Sequence, residues 1–173
     1  MANICVAPLS RLAAVARETG ARRVVSLVTA GTPVARPKGV AAGAHLRLEL
    51  SDIAAPLAGH VLAAEGQVAA LLRFAEGWDR AEGPLLLHCF AGVSRSPAAA
   101  FALACHLRPE IAEAEHARAL RRLSPSATPN ARIVALADGL LGRGGRMVEA
   151  IRAIGRGAEC FEGEVFTWRL AGG

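Results

Sequence analysis

The chain has 173 residues, 53% hydrophobic and 20% charged, a balance that fills one globular core and leaves no room for two. Aromatic residues make up 4% and tyrosine is absent, so that core must be assembled from Ala, Leu, Val and Ile. The net charge of +5 suits an anionic partner. Nucleic acid is not expected, because the basic clusters Arg22-Arg23, Arg121-Arg122 and 143–146 are scattered, lack aromatic neighbours and read as solvated helix faces.

In chain order, residues 3–7 form a short apolar run that predicts a first strand, and 8–19 carry Leu9, Leu12, Ala13 and Ala16 at helical spacing up to Gly20. Val24, Val25, Leu27 and Val28 predict a second strand within 22–29. Residues 30–43, rich in Gly and Pro, predict a loop at the rim of a site. Alternating Leu46, Leu48 and Leu50 mark a strand over 45–50 with one wetter face, followed by a turn-like exit at Ser51-Asp52. A helix is expected somewhere in 60–78, and 79–84 turns the chain into the run Leu85-Leu86-Leu87, a strand buried on both faces. Three more helices are expected over 110–123, 130–141 and 145–154, separated by Pro125, Pro129 and the glycines of 142–145; residues 164–170 read as an extended tail. Strands alternating with helices predict an α/β domain spanning 1–173, with a mostly parallel sheet of about four strands flanked by helices.

Residues 1–20 are interrupted by Arg11, Arg17 and Glu18, which breaks the apolar core that a signal peptide needs. The longest apolar stretch, near 97–107, is too short to span a membrane. Cys5, Cys89, Cys105 and Cys160 match neither a metal pattern nor a disulfide framework. The reading is a cytoplasmic, reduced chain acting without membrane, metal or cofactor; its oligomeric state is not legible. Cys5, Cys105 and Cys160 read as apolar fillers, with a disulfide to oxidised Cys89 as the alternative.

The chemistry concentrates in 85–97, Leu-Leu-Leu-His-Cys-Phe-Ala-Gly-Val-Ser-Arg-Ser-Pro. A buried strand runs into a tight loop and then a helix, with Pro97 in the first turn, where its missing N–H costs no bond. A helix N-terminus presents free amides and partial positive charge, so the amides from Phe90, Ala91, Gly92, Val93, Ser94 and Arg95 are expected to form an anion cradle. Arg95 adds a planar fork suited to two phosphate oxygens. Cys89 would point into that cradle, its thiolate favoured by the amides, Arg95 and His88. Ser96 would donate its hydroxyl to the sulfur.

His88-Cys89, five residues, then Arg95-Ser96 resembles the phosphate-binding loop of the cysteine-dependent protein tyrosine phosphatases, and 91–97 resembles their dual-specificity branch, of the bacterial single-domain type. The resemblance covers about a dozen residues. It implies the phosphatase fold and a phosphocysteine intermediate. It also implies that His88 ties strand to loop by hydrogen bonds.

Thiolate attack on a phosphate ester requires an acid to protonate the leaving oxygen. Sites in such sheets lie beyond the carboxyl ends of the strands. Asp79 and Glu82 precede the central strand, Glu49 lies within a strand and Asp138 within a distant helix, which leaves Asp52. The resemblance agrees, since these phosphatases carry an Asp on a loop some way before the nucleophile. The other reading of Ser51-Asp52 is an ordinary turn or cap. Asp52 protonated beside an ionised Cys89 predicts a bell-shaped rate profile on the acid side of neutrality. Pro129-Asn130 resembles a dual-specificity pattern whose Asn amide braces the phosphate loop; a plain N-cap is the alternative. His45, His60, His106 and His116 lack metal spacing and read as packing or surface residues.

The expected activity is hydrolysis of phosphotyrosine, with phosphoserine and phosphothreonine depending on pocket depth, on a phosphorylated protein or a small phosphoester. Three alternatives stay open. A lipid or inositol phosphatase would call for lysines where Phe90 and Val93 stand; sulfur or arsenate chemistry would make Asp52 and Ser96 dispensable; and a phosphoresidue-binding module would lack turnover.

Overall fold

Strand β4 (Leu85–Cys89) is fully buried and sits third in a five-stranded sheet. Around it lie β1 (Ala2–Pro8), β2 (Arg23–Val28), β3 (His45–Glu49) and β5 (Phe166–Leu170), in the order β3-β2-β4-β1-β5. The first four strands are parallel, and β5 closes the β1 edge antiparallel. The computed structural model describes residues 2–170. Helices α1 (Leu12–Thr19), α2 (Glu65–Glu76), α3 (Arg95–Leu107), α4 (Glu113–Leu123), α5 (Ala131–Leu140) and α6 (Arg146–Ile154) complete the chain.

The twofold period of the strands divides the core. Ile4, Val6, Val25, Leu27, Leu85, Leu87 and Cys89 join the cluster built with α2 to α6, whereas Cys5, Ala7, Val24 and Leu86 join α1 and Val40 on the other face. Cys89 and His88, adjacent in sequence, therefore serve opposite faces. Helix α3 is buried from Arg95 through Cys105. Its alanines let neighbouring helices approach on every side, which is how a chain with few aromatics builds a dense centre.

The mostly parallel sheet flanked by helices is as expected, and the extended tail adds a fifth, antiparallel strand to its four parallel ones: Phe166, Trp168 and Leu170 are buried while Thr167 and Arg169 face out. One expectation needs correction: the basic clusters are not simply solvated faces. Arg23 stacks 4.0 Å from the Phe74 ring centre, Arg121 donates to the carbonyls of Pro125, Ala127, Ile154 and Gly155, and Arg143 donates to Cys105 O and Glu113. Helix α2 starts at Glu65, and Gln67 ties that start to β3 by accepting from Ala64 N and donating to Glu49 O. No described helix is long and apolar enough to cross a membrane.

Candidate active site

The 90–94 turn between β4 and α3 is held from outside by its carbonyls. Phe90 O accepts from Leu9 N at 3.0 Å, Ala91 O from Gly163 N at 2.8 Å, Val93 O from Thr128 N at 2.8 Å and Ser94 O from Asn130 N at 3.2 Å. In a planar trans peptide the next N–H points the opposite way, so the amides of Ala91, Gly92, Ser94 and Arg95 face the interior of the loop. Gly92 shows this directly, its N–H lying 3.3 Å from Cys89 Sγ. At φ +71°, a Cβ on Gly92 would stand 3.0 Å from Pro8 N, so only glycine fits against β1.

Cys89 is buried, and its sulfur receives Gly92 N and, at 3.1 Å, Ser96 Oγ. Two donors on the sulfur are what an attacking or departing sulfur anion needs. Arg95 is 6% exposed and is anchored through Nη1 alone, which donates to Leu50 O at 2.9 Å and Thr29 Oγ1 at 3.3 Å. Nε is buried without a partner, and Nη2 has none among the described residues. Nε–H and Nη2–H form the parallel edge of a guanidinium, the edge that grips two oxygens of an oxyanion. A buried, unpaired donor such as Nε costs stability unless a ligand satisfies it.

His88 behaves differently from expectation. Register places it opposite Ser26, and its Nε2 lies 2.6 Å from Ser26 Oγ, which in turn meets His45 Nε2 at 2.7 Å. The Nδ1 contact with Cys89 O, at 3.3 Å, requires the proton on Nδ1, so Nε2 accepts from Ser26. Burial pushes its pKa down to about 4, outweighing the hydrogen bond to Cys89 O. His88 is therefore neutral at pH 7 and adds no positive charge beside the thiol. Its hydrogen bonds run to Ser26 on β2 and to the carbonyl of Cys89 at the end of β4 itself, not to the loop.

Asp52 follows β3 on an exposed loop closed at its base by Ser51: Val61 N donates to Ser51 Oγ at 3.1 Å and Ser51 N to Val61 O at 2.7 Å. Asp52 Oδ1 accepts from Ser94 Oγ at 2.6 Å and Asn130 Nδ2 at 2.9 Å, while Oδ2 has no partner among the described residues. The carboxyl is thus pinned to the rim of the 90–94 loop through one oxygen. Asn130 is buried and does more than either expectation allowed. Its Oδ1 caps α5 by accepting from Arg132 N and Ile133 N, its Nδ2 holds Asp52 and Ile53 O, and only its backbone N–H braces the 90–94 loop.

A cleft of about 860 Å³ borders this arrangement and does not contain Cys89 or Arg95; Asp52, Ser94 and Asn130 form one wall and 156–160 the other. Cys160 lies there exposed, so it is not the apolar filler expected, whereas Cys5 and Cys105 are buried and burial raises both thiols, Cys105 to about 12. Exposed Phe90 stands on the loop itself. Among the described residues no group of three His, Cys, Asp or Glu side chains is placed to hold a metal ion. Gly163 went unremarked in the sequence, where nothing distinguishes it from the chain's other glycines.

No protein-family model matches the sequence, and no curated protein matches it. Solved structures do. Human DUSP28 superposes with a TM-score of 0.61 at 20% identity, over 87% of this chain and 94% of that one. This chain has the dual-specificity phosphatase-like fold. The PTP-2 phosphatase of Cydia pomonella gives 0.59 at 21% identity over 79% and 84%, and PTPMT1 in complex with PI(5)P gives 0.60 at 15% over 87% and 93%. At these identities the likeness concerns the fold.

Proposed function

We propose that this protein is a phosphomonoesterase that hydrolyses phosphotyrosine through a phosphocysteine. The observation that carries the reading is the Nε–Nη2 edge of Arg95, its Nε buried without a partner, at the end of a loop whose Gly92 amide also meets the Cys89 sulfur. A dianionic phosphoryl group satisfies both sets of donors at once. Cys89 attacks phosphorus as the thiolate. The ester P–O bond breaks, and the leaving oxygen takes the proton from Asp52, giving the free phenol and phosphocysteine. Water then gives its proton to the Asp52 carboxylate and attacks phosphorus. The S–P bond breaks, Ser96 Oγ–H supports the departing sulfur anion, and inorganic phosphate leaves. The amides of Ala91, Gly92, Ser94 and Arg95 hold the equatorial oxygens throughout, with Phe90 and Val93 completing the loop.

The fold is shared with a protein solved in complex with PI(5)P. A lipid-phosphate substrate is disfavoured here because the loop offers no cation besides Arg95. The deciding experiment is para-nitrophenyl phosphate hydrolysis by freshly reduced protein, with and without chelator, followed by a panel of phosphotyrosine, phosphoserine and phosphothreonine peptides and PI(5)P. Cys89→Ser should lower turnover by at least about 10⁴-fold while keeping phosphopeptide binding. Wild-type protein that binds phosphopeptide and never turns it over would make it a binding module instead.

A further inference from the structure

Every hydrogen bond on the Asp52 carboxyl falls on one oxygen. Oδ1 receives Ser94 Oγ at 2.6 Å and Asn130 Nδ2 at 2.9 Å; Oδ2 receives nothing among the described residues. An oxygen that accepts two donors is a poor place for a proton, because a proton there would confront the hydrogens already pointing at it. The proton is therefore confined to the other oxygen. The same Nδ2 reaches Ile53 O at 3.2 Å, fixing the backbone next to Asp52, while Asn130 Oδ1 is anchored on the first turn of α5. Asn130 N donates to Ser94 O, so the residue that holds the acid also holds the phosphate loop.

We propose that Asn130, together with the Ser94 hydroxyl, is the positioning residue for Asp52: the pair occupies Oδ1, fixes the carboxyl against the phosphate loop, and leaves Oδ2 as the oxygen that gives and retrieves the proton. This rests on the phosphomonoesterase reading. The Asn130 side chain makes no hydrogen bond to Cys89 or Arg95 and acts on the chemistry through Asp52, while its backbone N–H on Ser94 O is kept in every variant. Its effect on the first step belongs to the protonation of the leaving group, so in kcat/KM, which reads the steps through P–O cleavage, it scales with how much the leaving oxygen needs a proton. Ser94 supplies a loop amide as well as its hydroxyl, so Asn130 is the residue that separates the two roles.

The test compares kcat/KM on phenyl phosphate, whose leaving group is weakly acidic, with kcat/KM on 2,4-dinitrophenyl phosphate, whose leaving group departs unaided. Asn130→Ser keeps an N-cap of similar strength and removes the Nδ2 donors. Since a positioned general acid is worth about 10²–10⁴-fold, losing its placement should cost about tenfold in kcat/KM on phenyl phosphate and less than about threefold on the dinitrophenyl ester. Asn130→Asp, also a good cap, should do at least as much harm because it sets a second carboxylate against Oδ1. In an Asp52→Asn background, Asn130→Ser should cost nothing further. Equal losses on both esters, or a cost that persists without Asp52, would overturn the proposal while leaving the phosphatase reading intact. A wild type that hydrolyses neither ester would overturn both.

Discussion

Asp52 and Asp138 hold the same functional group in opposite conditions. Asp138, buried in α5, has both carboxyl oxygens taken: Oδ1 accepts from Gly145 N at 2.6 Å and Oδ2 from Met147 N at 2.8 Å, so the side chain caps α6. Asp52, exposed at the end of the sheet, is bound through one oxygen and leaves the other open. The arginines repeat the contrast. Arg121 spends its two terminal nitrogens on four carbonyls, whereas Arg95 is anchored by Nη1 and leaves its Nε–Nη2 edge without a partner. Asp138 and Arg121 hold helices together with their terminal oxygens and nitrogens all bonded, whereas Asp52 and Arg95 border the 90–94 loop with part of each head group free. Buried donors without a partner also occur at Arg108 Nη1 and Arg143 Nε, so an unpaired nitrogen alone marks no site; at Arg95 it lies beside the Cys89 loop, where an anion would repay its cost.

The sharpest way to break that comparison is to make the same change at both aspartates. Asp52→Asn should lower kcat on phenyl phosphate by about 10²-fold or more and leave thermal stability unchanged, since no buried oxygen loses a bond. Asp138→Asn should do the reverse. An amide presents one acceptor where two backbone N–H groups need one each, so about 1–3 kcal/mol of stability should be lost in denaturant titration with activity retained in the folded fraction. If Asp138→Asn impairs turnover in folded protein as severely, saturation does not separate structure from chemistry here.

His88 extends the contrast to pH, because it lies beside the site and yet is a satisfied structural group. Its pKa is pushed from 6.5 to about 4, first by burial. The folded state then binds fewer protons than the unfolded chain between those values. The contribution is complete above about pH 6.5 and disappears as pH falls towards 4, and a shift of about 2.5 units amounts to about 3 kcal/mol. His45 and His116 shift downward as well, chiefly through burial, and steepen the same acid limb. Urea midpoints of wild type should fall between pH 7.5 and pH 5, and His88→Gln should flatten that dependence. An equal slope in the variant would place the acid sensitivity elsewhere.

What the sequence revealed was local. The run 85–97 announced strand, loop and helix because three leucines, a Cys-to-Arg spacing and Pro97 lie within thirteen positions, and the alternating strands and helices announced the α/β sheet. Long-range partnerships were not legible. The bond from Asn130 to Asp52 spans 78 positions, so the sequence offered the α5 cap and a brace for the 90–94 loop but not the side-chain bond to the acid's loop. The neutral state of His88 follows from its burial in the centre of the sheet, and the partner of its Nε2 from Ser26 lying opposite it in the register, neither of which its neighbours in the chain reveal. The β5 strand carried a readable Phe-Thr-Trp-Arg-Leu alternation, but its place on the β1 edge depends on where α6 delivers the chain.

Gly163 tests the smallest effect and the least legible contact. Its N–H donates to Ala91 O at 2.8 Å, and a Cβ there would stand 3.0 Å from Gly92 O and 3.3 Å from Val93 Cγ2. The segment returning to β5 therefore presses on the back of the 90–94 loop at the peptides that follow Ala91 and Gly92, the first of which carries the inward Gly92 amide. Gly163→Ala must displace either that segment or the loop by a few tenths of an ångström, at a cost of about 1 kcal/mol. If the loop yields, the Gly92 amide loses its aim, and inhibition by inorganic phosphate or vanadate should weaken by about threefold to tenfold with little change in melting temperature. If the segment yields, the β1 edge loosens and stability falls while phosphate inhibition is unchanged. The first outcome would assign the C-terminal segment to the anion-binding half of the molecule, and the second to the saturated half with Asp138 and Arg121.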